Sequence, residues 1–273
     1  MSAADRPPNA ADARRNAFGG SPRIAVVTGA SSGIGASIAS ALAALGWRIA
    51  VGARRTDRLA VVVKSIEASG GIGFAHELDV TDDVSIDAFF SAVEQRFGVA
   101  DVVVNNAGIG IPALLHEASP DDLRREVDVN LLGPMLVTRR ALQTMRGLGR
   151  GDVVFVTSLN AIAPRPLQTG YTASKCGIEG VARVLKMELE GTGIRSTIVR
   201  PGPTISDFAN DWPEGALERA SDLWRDWALW RHDAFLPPES VAAAVVSVVT
   251  AAPGTHIDEI QVNPTPPTKA RQE

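Results

Sequence analysis

Thr28-Gly29-Ala30-Ser31-Ser32-Gly33-Ile34-Gly35 joins a β-branched run, RIAVVT at 23–28, to a helical pattern at 34–45. Glycine lets the backbone turn tightly and lets an anion come close to the main chain. A helix starting directly after such a turn offers unpaired N–H groups and the positive end of its dipole. Gly29, Ser31, Ser32, Gly33, Ile34 and Gly35 therefore read as a cradle for the pyrophosphate of a dinucleotide. Glycine also marks ordinary turns, so the position between a first strand and a first helix carries this reading. The spacing is G-x-x-x-G-x-G, not the commonest dinucleotide fingerprint.

Outward from this turn, short β-branched runs alternate with longer helical patterns. Strands are predicted at 23–28, 48–52, 73–78, 101–105, 152–157, 194–200 and 257–262, and helices at 34–45, 58–69, 84–97, 120–147, 171–190 and 239–250. Several of the runs are apolar at successive positions, as parallel strands covered on both faces should be. The alternation predicts an α/β fold: a doubly wound parallel sheet of about seven strands with helices on both faces. Residues 23–263 read as one domain between a flexible tail at 1–22 and a short tail at 264–273.

Composition narrows the classes. With 45% hydrophobic and 21% charged residues over 273 positions, the chain can bury a full core. A net charge of −4 gives no reason to expect nucleic acid or an anionic membrane as partner. The longest apolar run, 241–252, is short for a membrane span and reads as a buried helix. The sole cysteine, Cys176, excludes an intrachain disulfide, fits a reducing, cytoplasmic setting, and reads as a buried or packing thiol. His76, His116, His232 and His256 are scattered without ligand spacing, so no metal site is expected.

Further motifs follow in order. Asn105-Asn106-Ala107-Gly108 follows the fourth strand, and Asn130 sits in V-D-V-N-L-L-G. Ser158 ends the fifth strand, Tyr171-Thr172-Ala173-Ser174-Lys175 is a Y-x-x-x-K, and Pro201-Gly202 follows the sixth strand. Together with T-G-A-S-S-G-I-G, this series resembles the short-chain dehydrogenase/reductase family, in its compact single-domain branch, over nearly all of 23–263. The resemblance implies a Rossmann-like fold, a nicotinamide cofactor, and homo-dimers or homo-tetramers built through the helices around 134–147 and 171–190. It further implies that Lys175 bonds the nicotinamide ribose and that Asn130 holds a water linking Lys175 to solvent. Asp79, Val80, Asn106, Ala107, Gly108, Pro201, Gly202, Thr204 and Ser206 would contact the cofactor. Ser206 stands where the family often has Thr and keeps the hydroxyl. The ending Ile260-Gln261-Val262-Asn263-Pro264 lacks the V-D-G-G of many members acting on carrier-bound ketones, and looks like members acting on varied small carbonyls or hydroxy acids.

These residue types suit the chemistry. Carbonyl reduction needs a hydride at carbon and a proton at oxygen. Tyr171 and Lys175 lie four apart, on one helix face. An ammonium beside a phenol is expected to lower its pKa from about 10. Ser158, at a strand's carboxyl end, can reach the same pocket. Tyr171 is the only tyrosine, so no other phenol can substitute. Each residue alone has a plainer reading (a solvated helix face, a turn former, an interior amide). Behind a dinucleotide turn, Asn130, Ser158, Tyr171 and Lys175 read together as catalytic.

Ala53 stands where an acid would mark NAD, and Arg54 and Arg55 follow at once. Guanidinium suits the 2′-phosphate, so NADP(H) is predicted over NAD. Asp79 has a second reading, as a helix cap. The stretch 205–236 carries Trp212, Trp224, Trp227 and Trp230, four of the five tryptophans. The last three recur at three-residue steps and are predicted to share a helix face, in a lid over a largely apolar carbonyl or alcohol substrate. Packing on the core or at a subunit interface is the rival reading. Rival functions are a non-catalytic dinucleotide-binding regulator and an epimerase or dehydratase on the same fold.

Overall fold

The computed structural model describes residues 22–230 and 232–266. The tail read at 1–22 lies outside the described residues except for Pro22, as does the C-terminal tail from 267 onward. Seven strands form one sheet: β1 (Ile24–Thr28), β2 (Arg48–Ala53), β3 (Ile72–Glu77), β4 (Val102–Asn105), β5 (Gly151–Val156), β6 (Ile194–Pro201) and β7 (Glu259–Val262). Their order is β3-β2-β1-β4-β5-β6-β7, with every pairing parallel. The predicted doubly wound sheet is thus the observed one. Its topological switch lies between β1 and β4, where such sheets bind ligands beyond their carboxyl ends.

Eight α-helices cover the sheet within the described residues: α1 (Gly33–Ala43), α2 (Thr56–Ala68), α3 (Asp83–Arg96), α4 (Pro120–Val127), α5 (Gly133–Met145), α6 (Thr169–Glu188), α7 (Ala216–Asp226) and α8 (Pro238–Val249). Strand β1 shows why the runs are apolar on both faces. Ala25 and Val27 enter one core with Ile38, Leu42, Leu59 and Val245, whereas Ile24 and Val26 enter the other with Phe89, Phe90, Val137 and Ile178. Run 241–252 is the buried helix expected, with Val241, Ala244, Val245 and Val248 in the first core.

The sheet's amino ends are tied by charge. Asp152 receives Arg23 at 2.5 Å and Arg195 at 2.7 Å, while Asp101 accepts from the Ile24 amide at 2.9 Å and from Arg150 at 3.0 Å. This network sits at the opposite end of the strands from the glycine turn and leaves that end for loops.

Two predicted elements differ. The helix read at 120–147 is divided by a π segment at Asp128–Leu132. Its looser turn is a feature often found at functional sites, and here it carries Asn130 against the loop after β4. The second difference lies in 205–236. Helix α7 stops at Asp226, and the chain reverses through Ala228 at φ 55°. Trp224 is buried, Trp227 projects into solvent, and Trp230 folds back to stack on Trp224 at 5.8 Å between ring centroids. The three indoles therefore do not share a helix face. No Gly or Pro marks the reversal, and three-residue spacing does not reveal it.

Candidate active site

Around the glycine turn, main chain packs on main chain. A Cβ on Gly29, whose φ is 64°, would lie 2.7 Å from Ala107 Cα, and one on Gly35 would lie 2.5 Å from the Gly29 carbonyl. Thr28 Oγ1 accepts from the amides of Asn106 and Ala107, both at 3.1 Å, and the Asn106 side-chain amide donates to the carbonyls of Thr28 and Gly29. The β4 motif thus braces the turn from behind. Ser32 at the N-cap of α1 makes no side-chain cap bond. The first-turn N–H groups stay open to an anion. The residues present fit a dinucleotide pyrophosphate.

The structure separates the two arginines after β2. Arg55 donates to Ser31 Oγ at 2.9 Å and to Ser32 Oγ at 3.0 Å, so a guanidinium and two hydroxyls converge beside the buried Ala53. Arg54 instead faces Asp79. Burial would raise the Asp79 pKa, but two bonds from Thr81 and the charge of Arg54 outweigh it and the carboxyl lies below its ordinary range. The cap of α3 is Asp82, which accepts from the Val84 and Ser85 amides, not Asp79. Val80 is buried beside it, against Gly133.

A cleft of about 470 Å³ opens at the carboxyl ends of β5 and β6 and includes Ile34, Asn106, Gly108, Ser158, Tyr171, Lys175, Pro201, Gly202, Thr204 and Ser206 in its lining. Ser158 caps a short turn by accepting from the Asn160 amide at 3.2 Å, and its hydroxyl is hydrogen-bonded with the Tyr171 phenol. Lys175 is buried, donates to the Val156 carbonyl at 3.2 Å, and lies 5.7 Å from the centre of the Tyr171 ring. Gly108 gives this ammonium room, since a Cβ there would sit 3.3 Å from Lys175 Nζ. Thr204 donates to the Gly202 carbonyl, and Ser206 packs on Gly33, tying the loop after β6 to the glycine turn.

Two expectations change, the ionisation of Tyr171 and the burial of Cys176. Burial pushes the Tyr171 phenol up to about 12; the Ser158 bond lowers it and the nearby Glu126 charge raises it further. The net lowering expected of the phenol is not reached, because desolvation prevails. Burial also pulls Lys175 down to about 8, against the opposing charge of Glu179. Asn130 is 1% exposed, and its side chain is already occupied: it accepts from the Ile109 amide and donates to the Ile109 carbonyl and Ser174 Oγ. Its amide hydrogens are thus taken by protein partners. Cys176, expected to be buried, is exposed, because it lies off the helix face that buries Tyr171, Lys175, Ile178 and Ala182.

Several site residues gave no sequence signal. Phe208 packs on the Tyr171 ring at 5.1 Å, and Gly110 makes room for it. Glu126 is buried and accepts from the Ile111 amide at 2.9 Å; burial, reinforced by Asp122, raises its pKa despite that bond. Arg165 and Gln168 line the cleft from the loop before α6. Glu179 alone was reachable, since it continues the four-residue spacing of Tyr171 and Lys175. Among the described residues no group of three His, Cys, Asp or Glu could hold a metal, and no helix is long and apolar enough to cross a membrane.

A family model described as short chain dehydrogenase matches residues 23–216. The chain is similar to dehydrogenase/reductase SDR family member 11 of Bos taurus, 33% identical over 253 residues, covering 89% of this chain and 96% of that protein. Among solved structures, it is similar to an alcohol dehydrogenase from the archaeon Thermococcus sibiricus complexed with 5-hydroxy-NADP, at 30% identity and a TM-score of 0.76, covering 89% of this chain and 96% of that one. It is also similar to a variant of actinorhodin polyketide ketoreductase with NADPH, at 30% identity and a TM-score of 0.81, again covering 89% and 96%.

Proposed function

The chain belongs to the short-chain dehydrogenase family, and from that premise we propose that it interconverts a carbonyl compound and a secondary alcohol with NADP(H). The observation that carries this reading is the meeting of Ser158, Tyr171 and Lys175 in one cleft beside an open helix N-terminus. When bound, the nicotinamide supplies or accepts the hydride.

The chain's own residues do the rest. Tyr171, protonated at neutral pH, gives its proton to the substrate oxygen, and Ser158 bonds that same oxygen. Lys175 stabilises the negative charge that develops on Tyr171 Oη as the proton leaves. Asn130 acts as a positioning residue, clamping the loop after β4 to Ser174 on the catalytic helix. The glycine turn and α1 would hold the pyrophosphate. Asp79 and Val80 would meet the adenine, and Asn106 to Gly108 with Pro201 to Ser206 would line the nicotinamide half.

Residues 205–236 act as the lid, with Trp212, Trp224 and Trp230 facing the cleft and Trp227 outside it. Trp224 pins this segment by donating to the Pro166 carbonyl at 3.0 Å, and Arg219 holds Glu117 through two bonds. Its indoles and Phe208 favour a largely apolar substrate. A screen of ketones, aldehydes and hydroxy acids followed by NADPH absorbance tests the activity. Absence of net cofactor turnover across that panel would favour an epimerase or a binding protein instead.

Arg55, set among Ser31 and Ser32, is the proposed reader of the 2′-phosphate. Arg55→Ala should raise the Kd for NADPH by about 10- to 100-fold, the range for hydrogen bonds to a charged group. The Kd for NADH should move by less than about threefold on the same grounds. Calorimetric titration of both cofactors checks this, and equal weakening of the two would assign Arg55 to the loop rather than to the phosphate.

A further inference from the structure

The cleft holds a cation that the proposed chemistry does not use. Arg165 lines it from the loop before α6, with its guanidinium carbon 5.0 Å from the centre of the Trp224 ring. Neighbouring arginines are matched: Arg219 with Glu117, and Arg225 with Asp222 and Asp233. Arg165 makes no ion pair or hydrogen bond among the described residues. Burial acts on it without a compensating acid and draws its pKa below the ordinary guanidinium value. The cleft lining contains no Asp or Glu, so Arg165 faces no protein carboxylate there.

The loop that presents Arg165 is fixed at a cost. Leu167 is 2% exposed and adopts φ 68°, a left-handed conformation that a branched side chain resists. Its carbonyl accepts from the Ala113 amide at 2.9 Å, and the preceding Pro166 carbonyl accepts from Trp224 at 3.0 Å. A strained loop held from two sides gives the guanidinium a defined place. A cation–π contact with an indole uses none of the guanidinium N–H donors, so the fork stays open. That fork matches a carboxylate bidentately.

We propose that Arg165 anchors a carboxylate on the substrate, so that this cleft prefers aromatic or alicyclic keto acids, or the matching hydroxy acids, over their neutral counterparts. The apolar body packs among Phe208, Trp212, Trp230 and Phe235. One guanidinium for one negative charge, in an otherwise apolar wall, suits a carboxylate better than a phosphate dianion. The proposal rests on the reductase reading for its ketone, and on Arg165 alone for its charge.

The test uses a series of aryl keto acids from benzoylformate to benzoylbutyrate, each beside its methyl ester. Binding is measured by calorimetry with NADP+ present, and kcat/KM with NADPH, for the wild type, Arg165→Met and Arg165→Lys. In the wild type the best acid should bind at least about tenfold tighter than its ester, as expected for a charged hydrogen-bonded pair. Arg165→Met should erase that preference while leaving ester binding within about threefold, and Arg165→Lys should restore part of it. Equal binding of acid and ester by the wild type overturns the proposal, as does an equal loss of both in Arg165→Met. Arg165-dependent acid binding without turnover of any member sustains the anion site and refutes the reductase reading. Turnover that is blind to charge does the reverse.

Discussion

Replacing Tyr171 with phenylalanine is expected to lower kcat/KM for ketone reduction by about 1000-fold, in the middle of the range for general acid catalysis. The ring still packs on Phe208, so the fold and NADPH binding should be preserved. What is lost is the proton donor, and the chain has no second tyrosine to supply one. Steady-state kinetics beside a cofactor titration check this, and a variant within tenfold of wild-type turnover would remove Tyr171 from the mechanism. The pH profile follows from the same pair. With Tyr171 held at about 12, the phenol stays protonated through the neutral range and does not set the alkaline limb of reduction. Lys175, at about 8, does: above that pH its charge is lost and the developing phenolate goes unsupported. Reduction kcat/KM should therefore be level near neutrality and fall above about pH 8.

The second large effect is on stability. Glu179, 2% exposed on α6, accepts from Arg200 at 2.8 and 2.7 Å, from Thr157 at 3.0 Å and from Arg183 at 2.9 Å. Glu179→Ala leaves the buried Arg200 with only the partly exposed Glu259 as partner. Breaking a buried pair by removing one member costs about 3–5 kcal/mol. For a chain of this size that lowers Tm by roughly 10 °C. Scanning calorimetry reads the shift, and a change below about 1 kcal/mol would mean that water replaces the carboxylate, as at an exposed pair. Glu179→Gln adds a second readout. Glu179 is the charge that holds the Lys175 pKa up against burial. Its neutralisation should move the alkaline limb of the pH profile to lower pH.

The parts of this molecule legible in sequence are those whose physics is local. Strand runs, the glycine turn and the four-residue step from Tyr171 to Lys175 depend on neighbours in the chain. All of them lie where they were read. Counting the same helical phase one residue further would have placed Cys176 outside. Arg165, Phe208 and Glu126 were invisible because their meaning comes from what the fold brings to them. Trp224 lies 59 residues from Arg165 along the chain and Phe208 lies 37 from Tyr171. Likewise, no residue type announces the left-handed turn at Ala228, which replaced a striped helix by a folded-back indole pair. The tyrosine's ionisation is hidden for a related reason: spacing reveals that an ammonium is near, but not that both groups are buried together.

A protein with one phenol, located in its candidate active cleft, is also an instrument. Growth on ring-fluorinated tyrosine would label a single position without any mutation, and every fluorine signal would come from Tyr171. Graded numbers of fluorine atoms would step the acidity of the donor while leaving its size nearly constant. Plotting turnover against that acidity gives a Brønsted slope, the extent of proton transfer at the transition state. Chains with many tyrosines deny that measurement, because the same substitution perturbs their cores. Here the composition itself isolates the proton that matters.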